Sequence, residues 1–280
     1  MRHSPLIALL TDFGGADAYV AMMKGVILGI APDARLVDLT HEIAPQNVRQ
    51  AAYVLLTAYP YFPPDTIFVA VVDPGVGTAR RAVAVETTHG RFVGPDNGLF
   101  SYALNQNPPV VAVEIVNAAY LLPGRSHTFH GRDLFAPAAA HLAQGVPLAA
   151  LGPAVADLCA LPQPRLDVAR DRVEGEVIHI DRFGNAVTSI GSLAWQDDGS
   201  LRLTPRFGAR PLPARIPADS AIFLGDAILD HIAPSYGHAA PGAALALINS
   251  AGQLEIAVNQ GHAARMLGIA VGDPVSVRFG

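Results

Sequence analysis

The sequence predicts an α/β N-terminal domain, a mostly parallel sheet flanked by helices, followed by an all-β C-terminal barrel domain. Three observations carry that expectation. The first half alternates apolar strand-like runs with stretches of helical spacing, the pattern of a sheet covered by helices. From Val173 onward the texture changes to short strands separated by frequent turns, which suits a small barrel. The 280 residues match two domains of roughly 150 residues each. A Pro-rich connection containing Pro153, Pro162 and Pro164 sets the boundary, giving domains at 1–165 and 166–280.

The elements follow in order. Leu6–Leu10 is a continuous apolar strand that enters the turn Thr11-Asp12-Phe13-Gly14-Gly15. Asp17–Ile30 has helical spacing, with Tyr19, Met22, Met23, Val26, Ile27 and Ile30 able to share a face, and Pro32 ends it. Leu36–Leu39 is a short strand. Val48–Ala58 is a helix, punctuated by Pro60, Pro63 and Pro64. Thr66–Val72 is a buried-type strand rich in β-branched residues. Ala82–Glu86 alternates and Val110–Val116 is apolar. Gly131–Gln144 is a helix with Pro137 in its first turns. In the second half, Glu176–Asp181, Ala186–Ile190, Ala243–Ile248, Leu254–Val258 and Pro274–Phe279 are strands. Only Asp226–Ile232 looks helical there, and Asp226, Asp230 and His231 are read as its solvated face rather than as metal ligands.

Composition removes several classes. Hydrophobic residues make up 51% and charged residues 15%, which excludes a disordered chain. The net charge is −5 and no basic run exceeds Arg80-Arg81, so no nucleic-acid partner is expected. Lys24 is the only lysine and Cys159 the only cysteine. A single cysteine allows neither an internal disulfide nor a Cys-rich zinc site and points to a reducing cytoplasm. Leu134–Ala156 and Ile232–Leu254 lack formal charge, but prolines and glycines interrupt both, so no membrane span is expected. The start reads as a first strand and not as a secretory leader.

Four polar clusters fall at strand ends or helix starts, where α/β sheets gather ligands. In Thr11-Asp12-Phe13-Gly14-Gly15 a carboxylate precedes two glycines. Asp12 suits both hydroxyls of a ribose, or alternatively the cap of the next helix. In Val72-Asp73-Pro74-Gly75-Val76-Gly77-Thr78-Ala79-Arg80-Arg81, Asp73 and Arg80 can pair across the loop, either for chemistry or as a structural salt bridge. No Walker loop or G-x-G-x-x-G is present. In Ser126-His127-Thr128-Phe129-His130-Gly131-Arg132-Asp133, His130 can hold or exchange a proton. Metal ligation by His127 and His130 lacks a third ligand nearby. Asp181-Arg182-Phe183-Gly184-Asn185 offers a carboxylate, a ring and an amide, suited to a base and a cationic amine or to a plain turn. No G-x-S-x-G elbow occurs.

Taken together, Leu10–Gly14, Val72–Gly77, Thr128–Asp133, Asp181–Asn185 and Asn249-Ser250 resemble the S-adenosyl-L-methionine (SAM) hydroxide adenosyltransferases. These are water-using relatives of the fluorinating and chlorinating enzymes. The resemblance implies attack of water at the ribose C5′ of SAM, giving adenosine and methionine without metal or cofactor. It implies a homotrimer whose sites lie between one subunit's N-terminal domain and its neighbour's C-terminal domain. By motif, Asp73, Arg80 and His130 handle the water and Asp12 binds the ribose. Val76, Phe129 and Gly131 line the C5′ pocket. Asp181 and Ser250 hold the methionine end, and Phe183 and Asn185 the adenine side. The halogenating relatives carry Tyr-Pro at Asp73-Pro74 and Tyr-Ser at His130-Gly131, and a carboxylate there repels a halide. Gln46 stands where those relatives place an aromatic. A noncatalytic SAM or adenosine sensor is the alternative that uses the same pocket, and a halogenase is the other.

Overall fold

Six strands build the N-terminal sheet. The structure, a computed structural model, describes residues 4–208 and 214–279 and divides into two compact units, Met1–Leu161 and Pro162–Gly280. In chain order the first unit holds β1 (Leu6–Thr11), α1 (Tyr19–Ile30), β2 (Arg35–Thr40), α2 (Val48–Ala58), β3 (Thr66–Val71), β4 (Ala82–Thr87), β5 (Gly90–Pro95), α3 (Ser101–Gln106), β6 (Pro109–Glu114) and α4 (Ala136–Ala143). The sheet order is β2-β1-β3-β5-β4-β6. β2, β1, β3 and β5 pair in parallel, while β4 is antiparallel to both β5 and β6. β4 alone therefore runs against the rest, and the sheet is mixed but mostly parallel.

The central strands are apolar on both faces because both faces are covered. Every residue of β3 is buried. Ile7, Leu9, Ile67 and Val69 turn to one face and meet Met23 and Ile27 of α1 and the alanines of α4. Their neighbours Ala8, Leu10 and Phe68 are fully buried on the other face. There Phe68 stacks on Phe92 at 5.2 Å, and Tyr59 sets its edge against both rings. Asn47 starts α2 by accepting the Gln50 N–H at 2.9 Å.

Parts of the first unit depart from the sequence reading. The stripe of α1 is narrower than its periodicity predicts. Met23 and Ile27 are buried, whereas Tyr19 and Met22 remain 45% and 44% exposed. β5 is an interior strand that two glycines and a proline conceal. A Cβ at Gly94 would collide with Ala70 O, so the residue that weakens strand propensity is the one this close packing admits. The expected helix from Gly131 divides into a π-type turn, Gly131–Phe135, and then α4.

The second unit holds β7 (Leu166–Val168), β8 (Arg172–Ile180), β9 (Ala186–Gly191), β10 (Leu193–Trp195), β11 (Leu201–Leu203), β12 (Ala214–Ile216), β13 (Ala221–Leu224), β14 (Ala227–Leu229), β15 (Ile232–Ala233), β16 (Ala244–Ile248), β17 (Gln253–Val258), the one-turn α5 (Ala263–Met266) and β18 (Pro274–Arg278). Its main sheet runs β14-β13-β18-β8-β9-β17-β16-β15, with β7 on β8. β14 also approaches β16, which curls the sheet into a nearly closed barrel. β10, β11 and β12 form a separate small sheet.

The helix expected at Asp226–Ile232 is absent. Leu224 pairs with Ala227 in an antiparallel hairpin. Gly225, at φ 57°, and Asp226 make its two-residue turn. Asp226 thus sits in a turn, and Asp230 and His231 pair with each other at 2.6 Å on the surface. The helical spacing of the three residues was coincidental, and the Gly-Asp turn signal decides the segment.

Candidate active site

β1 and β3 are parallel neighbours, and Thr11 is the register partner of Val71. Both strands therefore end at one level and deliver Asp12 and Asp73 side by side, at the carboxyl edge where α/β sheets bind ligands. A cavity of about 490 Å³ opens there, lined by Asp12, Phe13, Tyr19, Pro45, Gln46, Val71, Asp73, Pro74, Val76 and Thr128–Gly131. Cavities of about 560 and 500 Å³ lie elsewhere. The first is rimmed by surface charges such as Asp171 and Arg172, and the second lies at the opposite ends of β1 and β3. Neither brings a carboxylate, an arginine and a histidine together.

Asp73, Arg80 and His130 form one hydrogen-bonded cluster. Arg80 Nε donates to Asp73 Oδ1 and Oδ2, each at 3.0 Å, and Nη2 donates to Oδ2 at 2.5 Å. The same Nη2 lies 2.6 Å from His130 Nδ1. The side chains of Arg80 and Asp73 are only 10% and 5% exposed, so this pair is screened little by solvent. Arginine has no acceptor atom, so Nδ1 must present its lone pair and the imidazole proton must sit on Nε2. Burial holds the His130 pKa below 6.5, and the adjacent Arg80 cation adds to that, outweighing the opposing pull of Asp73 and Asp133. His130 is accordingly a neutral ring in a fixed tautomer.

The neighbouring arginine does something else. Arg81 donates to Asp96 at 2.8 Å and to Asp157 at 2.7 Å. Asp96 also accepts the Cys159 N–H at 2.8 Å. Arg81 thus ties β4 to the segment around Asp157, and Arg80 alone reaches the cavity cluster.

Local glycine and hydroxyl chemistry holds these side chains. Gly77 has φ 77°, and a Cβ there would stand 2.5 Å from His127 O. The glycine lets the loop bearing Val76 lie against the loop bearing His130. Gly77→Ala is expected to cost at least about 1–2 kcal/mol in the left-handed conformation alone. Its thermal melting point should fall and Val76 should shift out of the cavity wall, both readable by calorimetry and a crystal structure. The facing loop is tied internally. Asp133, 2% exposed at its side chain, accepts the Ser126 N–H at 2.8 Å and pairs with Arg132. Ser126 Oγ accepts the N–H groups of Thr128 and Phe129 at 3.0 and 3.1 Å. Phe129 then packs edge-on against Phe13 and Tyr19, with centroids 5.8 and 5.1 Å away. Gly131 fits beneath them, where a Cβ would meet Met23, Phe129 and Phe13 at 3.1–3.3 Å.

Asp12 does not cap α1, which starts after Ala18 with no side-chain cap. Its Oδ2 accepts the Gln46 N–H at 2.8 Å. Gln46 lines the cavity at φ 65°. Sequence spacing read Tyr19 as core, whereas it lines the cavity, and it gave no role to His41, whose ring meets Thr11 behind this wall. A buried threonine at a strand end beside a carboxylate was the available signal.

The second-unit residues lie in two turns. Asp181 Oδ1 accepts the N–H groups of Phe183 and Asn185 at 2.9 and 2.8 Å, and Oδ2 accepts Asn185 Nδ2 at 3.2 Å. Phe183 is 75% exposed and Asn185 buried. Ser250 is exposed in the turn that Asn249 Oδ1 shapes by accepting from Ala251 and Gln253. Among the described residues no group of three or more His, Cys, Asp or Glu is arranged to hold a metal, and no helix is long and apolar enough to cross a membrane.

A family model described as the SAM hydroxide adenosyltransferase N-terminal domain matches residues 7–152, and its C-terminal counterpart matches residues 175–276. The chain belongs to the SAM hydroxide adenosyltransferase family. Within its reach are proteins named (R)-S-adenosyl-L-methionine hydrolase. That of Salinispora tropica is 41% identical over 100% of both chains. That of Thermus thermophilus is 42% identical over 96% of this chain and 98% of its own. A fluorinase of Nocardia brasiliensis is more distant, at 28% over 99% and 97%. A crystal structure of an uncharacterized conserved protein from Thermotoga maritima superimposes with TM-score 0.84 at 35% identity, covering 97% of this chain and 99% of that one. The mixed sheet followed by a barrel-like sheet is thus the family's two-part architecture.

Proposed function

We propose that the cavity carries out the hydrolysis of SAM to adenosine and methionine, with a water attacking the ribose C5′ opposite sulfur. The observation that carries the reading is the Asp73–Arg80–His130 cluster, set beside Asp12 at the ends of adjacent strands. The sulfonium departs as a neutral thioether, so the leaving group needs neither an acid nor a metal. The site's tasks are to align water and to accept its proton. Asp73 is the proton acceptor. Arg80 occupies Oδ1 once and Oδ2 twice, and a carboxylate has about four acceptor positions, so Oδ1 keeps one free. His130 is a donor through Nε2–H, because its Nδ1 is engaged by Arg80. The C5′–O bond forms, the C5′–S bond breaks with its pair going to sulfur, and the proton leaves through Asp73 to solvent.

In this reading Asp12 takes the ribose hydroxyls, and Val76, Phe129 and Gly131 enclose C5′. Asp181 and Ser250 hold the methionine end, and Phe183 and Asn185 the adenine. The working assembly is a cytoplasmic, metal-independent homotrimer with each site completed by a neighbour's C-terminal domain. Phe183, 75% exposed, leaves its ring available for that contact. The test incubates the purified protein with each sulfonium epimer of SAM and follows adenosine by chromatography, with and without chloride or fluoride. Halide-independent adenosine is expected. Tight binding without turnover would instead make the protein a sensor, and a halide-dependent 5′-halo nucleoside would make it a halogenase.

A further inference from the structure

The turn that carries Asp12 is bracketed by a side-chain relay outside the cavity. Thr11, fully buried, accepts the Phe13 N–H on its Oγ1 at 3.2 Å, closing a tight hydroxyl turn around Asp12. The same Oγ1 lies 2.8 Å from His41 Nδ1. His41 O accepts the Gly14 N–H at 2.8 Å. Five residues further along the same segment, the Gln46 N–H binds Asp12 Oδ2. On the far side, His41 Nε2 lies 3.0 Å from Asp38 Oδ1, near enough for charge attraction but outside hydrogen-bond alignment, and Asp38 Oδ2 accepts from Lys24 at 2.6 Å. The chain's only lysine ends this relay. Nothing in the cavity cluster of Asp73, Arg80 and His130 requires these residues.

We propose that His41 is a positioning residue for the Asp12 carboxylate, and through it a determinant of the enzyme's preference for a nucleoside with an intact ribose diol. The proposal rests on the adenosyl reading of the cavity. Two hydrogen bonds from a diol to one carboxylate demand a fixed carboxylate plane. Asp12 has one oxygen anchored by Gln46 and its backbone set by the Thr11 turn, which His41 meets through its ring at Thr11 and its carbonyl at Gly14. The inner contact carries the effect, because Thr11 is fully buried and the His41 side chain is only 13% exposed. The Lys24–Asp38 pair is 32% and 42% exposed and serves mainly to orient the ring, with little energy of its own.

The experiment measures kcat and KM for SAM and for its 2′-deoxy analogue in the full-length protein, below the melting temperature of each variant. For His41→Ala, KM for SAM rises about five- to tenfold, the size of one lost hydrogen bond. Its kcat stays within about twofold, because the bond making at C5′ is untouched. The preference for SAM over the deoxy analogue shrinks by a similar factor. His41→Asn, whose amide oxygen occupies the Nδ1 position facing Thr11, restores the preference. His41→Gln, which reaches only toward Asp38, does not. A His41→Ala enzyme that keeps the wild-type preference overturns the proposal. So does an equal rise of KM for both substrates, or rescue by Gln and not by Asn. A wild type that shows no preference for the diol overturns the ribose role of Asp12 itself, a separate failure.

Discussion

Asp73→Asn is expected to lower kcat for adenosine formation by about 10²–10⁴-fold, the usual worth of a positioned general base. KM for SAM should change little, because the residue acts on the water and not on the substrate. The substitution keeps the shape but inverts the chemistry. Arg80 donates to both oxygens of Asp73, so an amide must turn its oxygen toward the guanidinium. Its NH₂ then faces the cavity, where a proton acceptor is required. The change also leaves Arg80, 10% exposed, without its counter-charge, a loss that costs about 3–5 kcal/mol in buried pairs. A thermal melt alongside the kinetics separates the two effects. A variant that melts early yet turns over at the wild-type rate would remove Asp73 from the chemistry.

Arg80→Met is the second large effect, and it acts on rate and pH dependence together. The guanidinium orients the carboxylate and fixes the histidine tautomer, so its loss should reduce kcat by about 10²–10³-fold. The pH profile follows from the His130 pKa, which burial and then Arg80 hold below 6.5. The wild-type ring is neutral at pH 7. As pH falls through its depressed pKa, Nδ1 gains a proton, donor faces donor across the Arg80 contact, and activity is lost. The acid limb of wild type therefore lies below 6.5. Without Arg80, a repelling cation disappears while Asp73 and Asp133 remain to favour the imidazolium, so the limb moves to higher pH. Arg81→Met should leave the limb in place, because Arg81 pairs with Asp96 and Asp157. Rate profiles between about pH 5 and 8, the range over which histidine titrates, check the sign.

What the sequence reveals here tracks what is local. The apolar runs of β1 and β3 and the carboxylates that follow them can be read directly. Asp73 and Arg80 stand seven positions apart across one loop, and the chemistry of the pair is visible in the residue types. The His130 contact spans 50 residues and the Thr11–His41 contact 30. No spacing rule links such positions, because the sheet alone brings them together. The tautomer of His130, and with it the division between donor and base, emerges only from the arginine on Nδ1. β5 escapes notice because Gly90 and Gly94 depress its propensity, yet tertiary packing uses their missing side chains. The β13–β14 hairpin hides behind helical spacing, although Gly225-Asp226 is the better signal.

Attack of water at C5′ of the ribose is read most directly by hydrolysis in ¹⁸O-labelled water with mass analysis of both products. One heavy oxygen is expected in adenosine and none in methionine, with the labelled product forming about 10²–10⁴-fold more slowly in Asp73→Asn. Unlabelled adenosine, label in the amino acid, or 5′-methylthioadenosine as the nucleoside product would place bond cleavage elsewhere and contradict it.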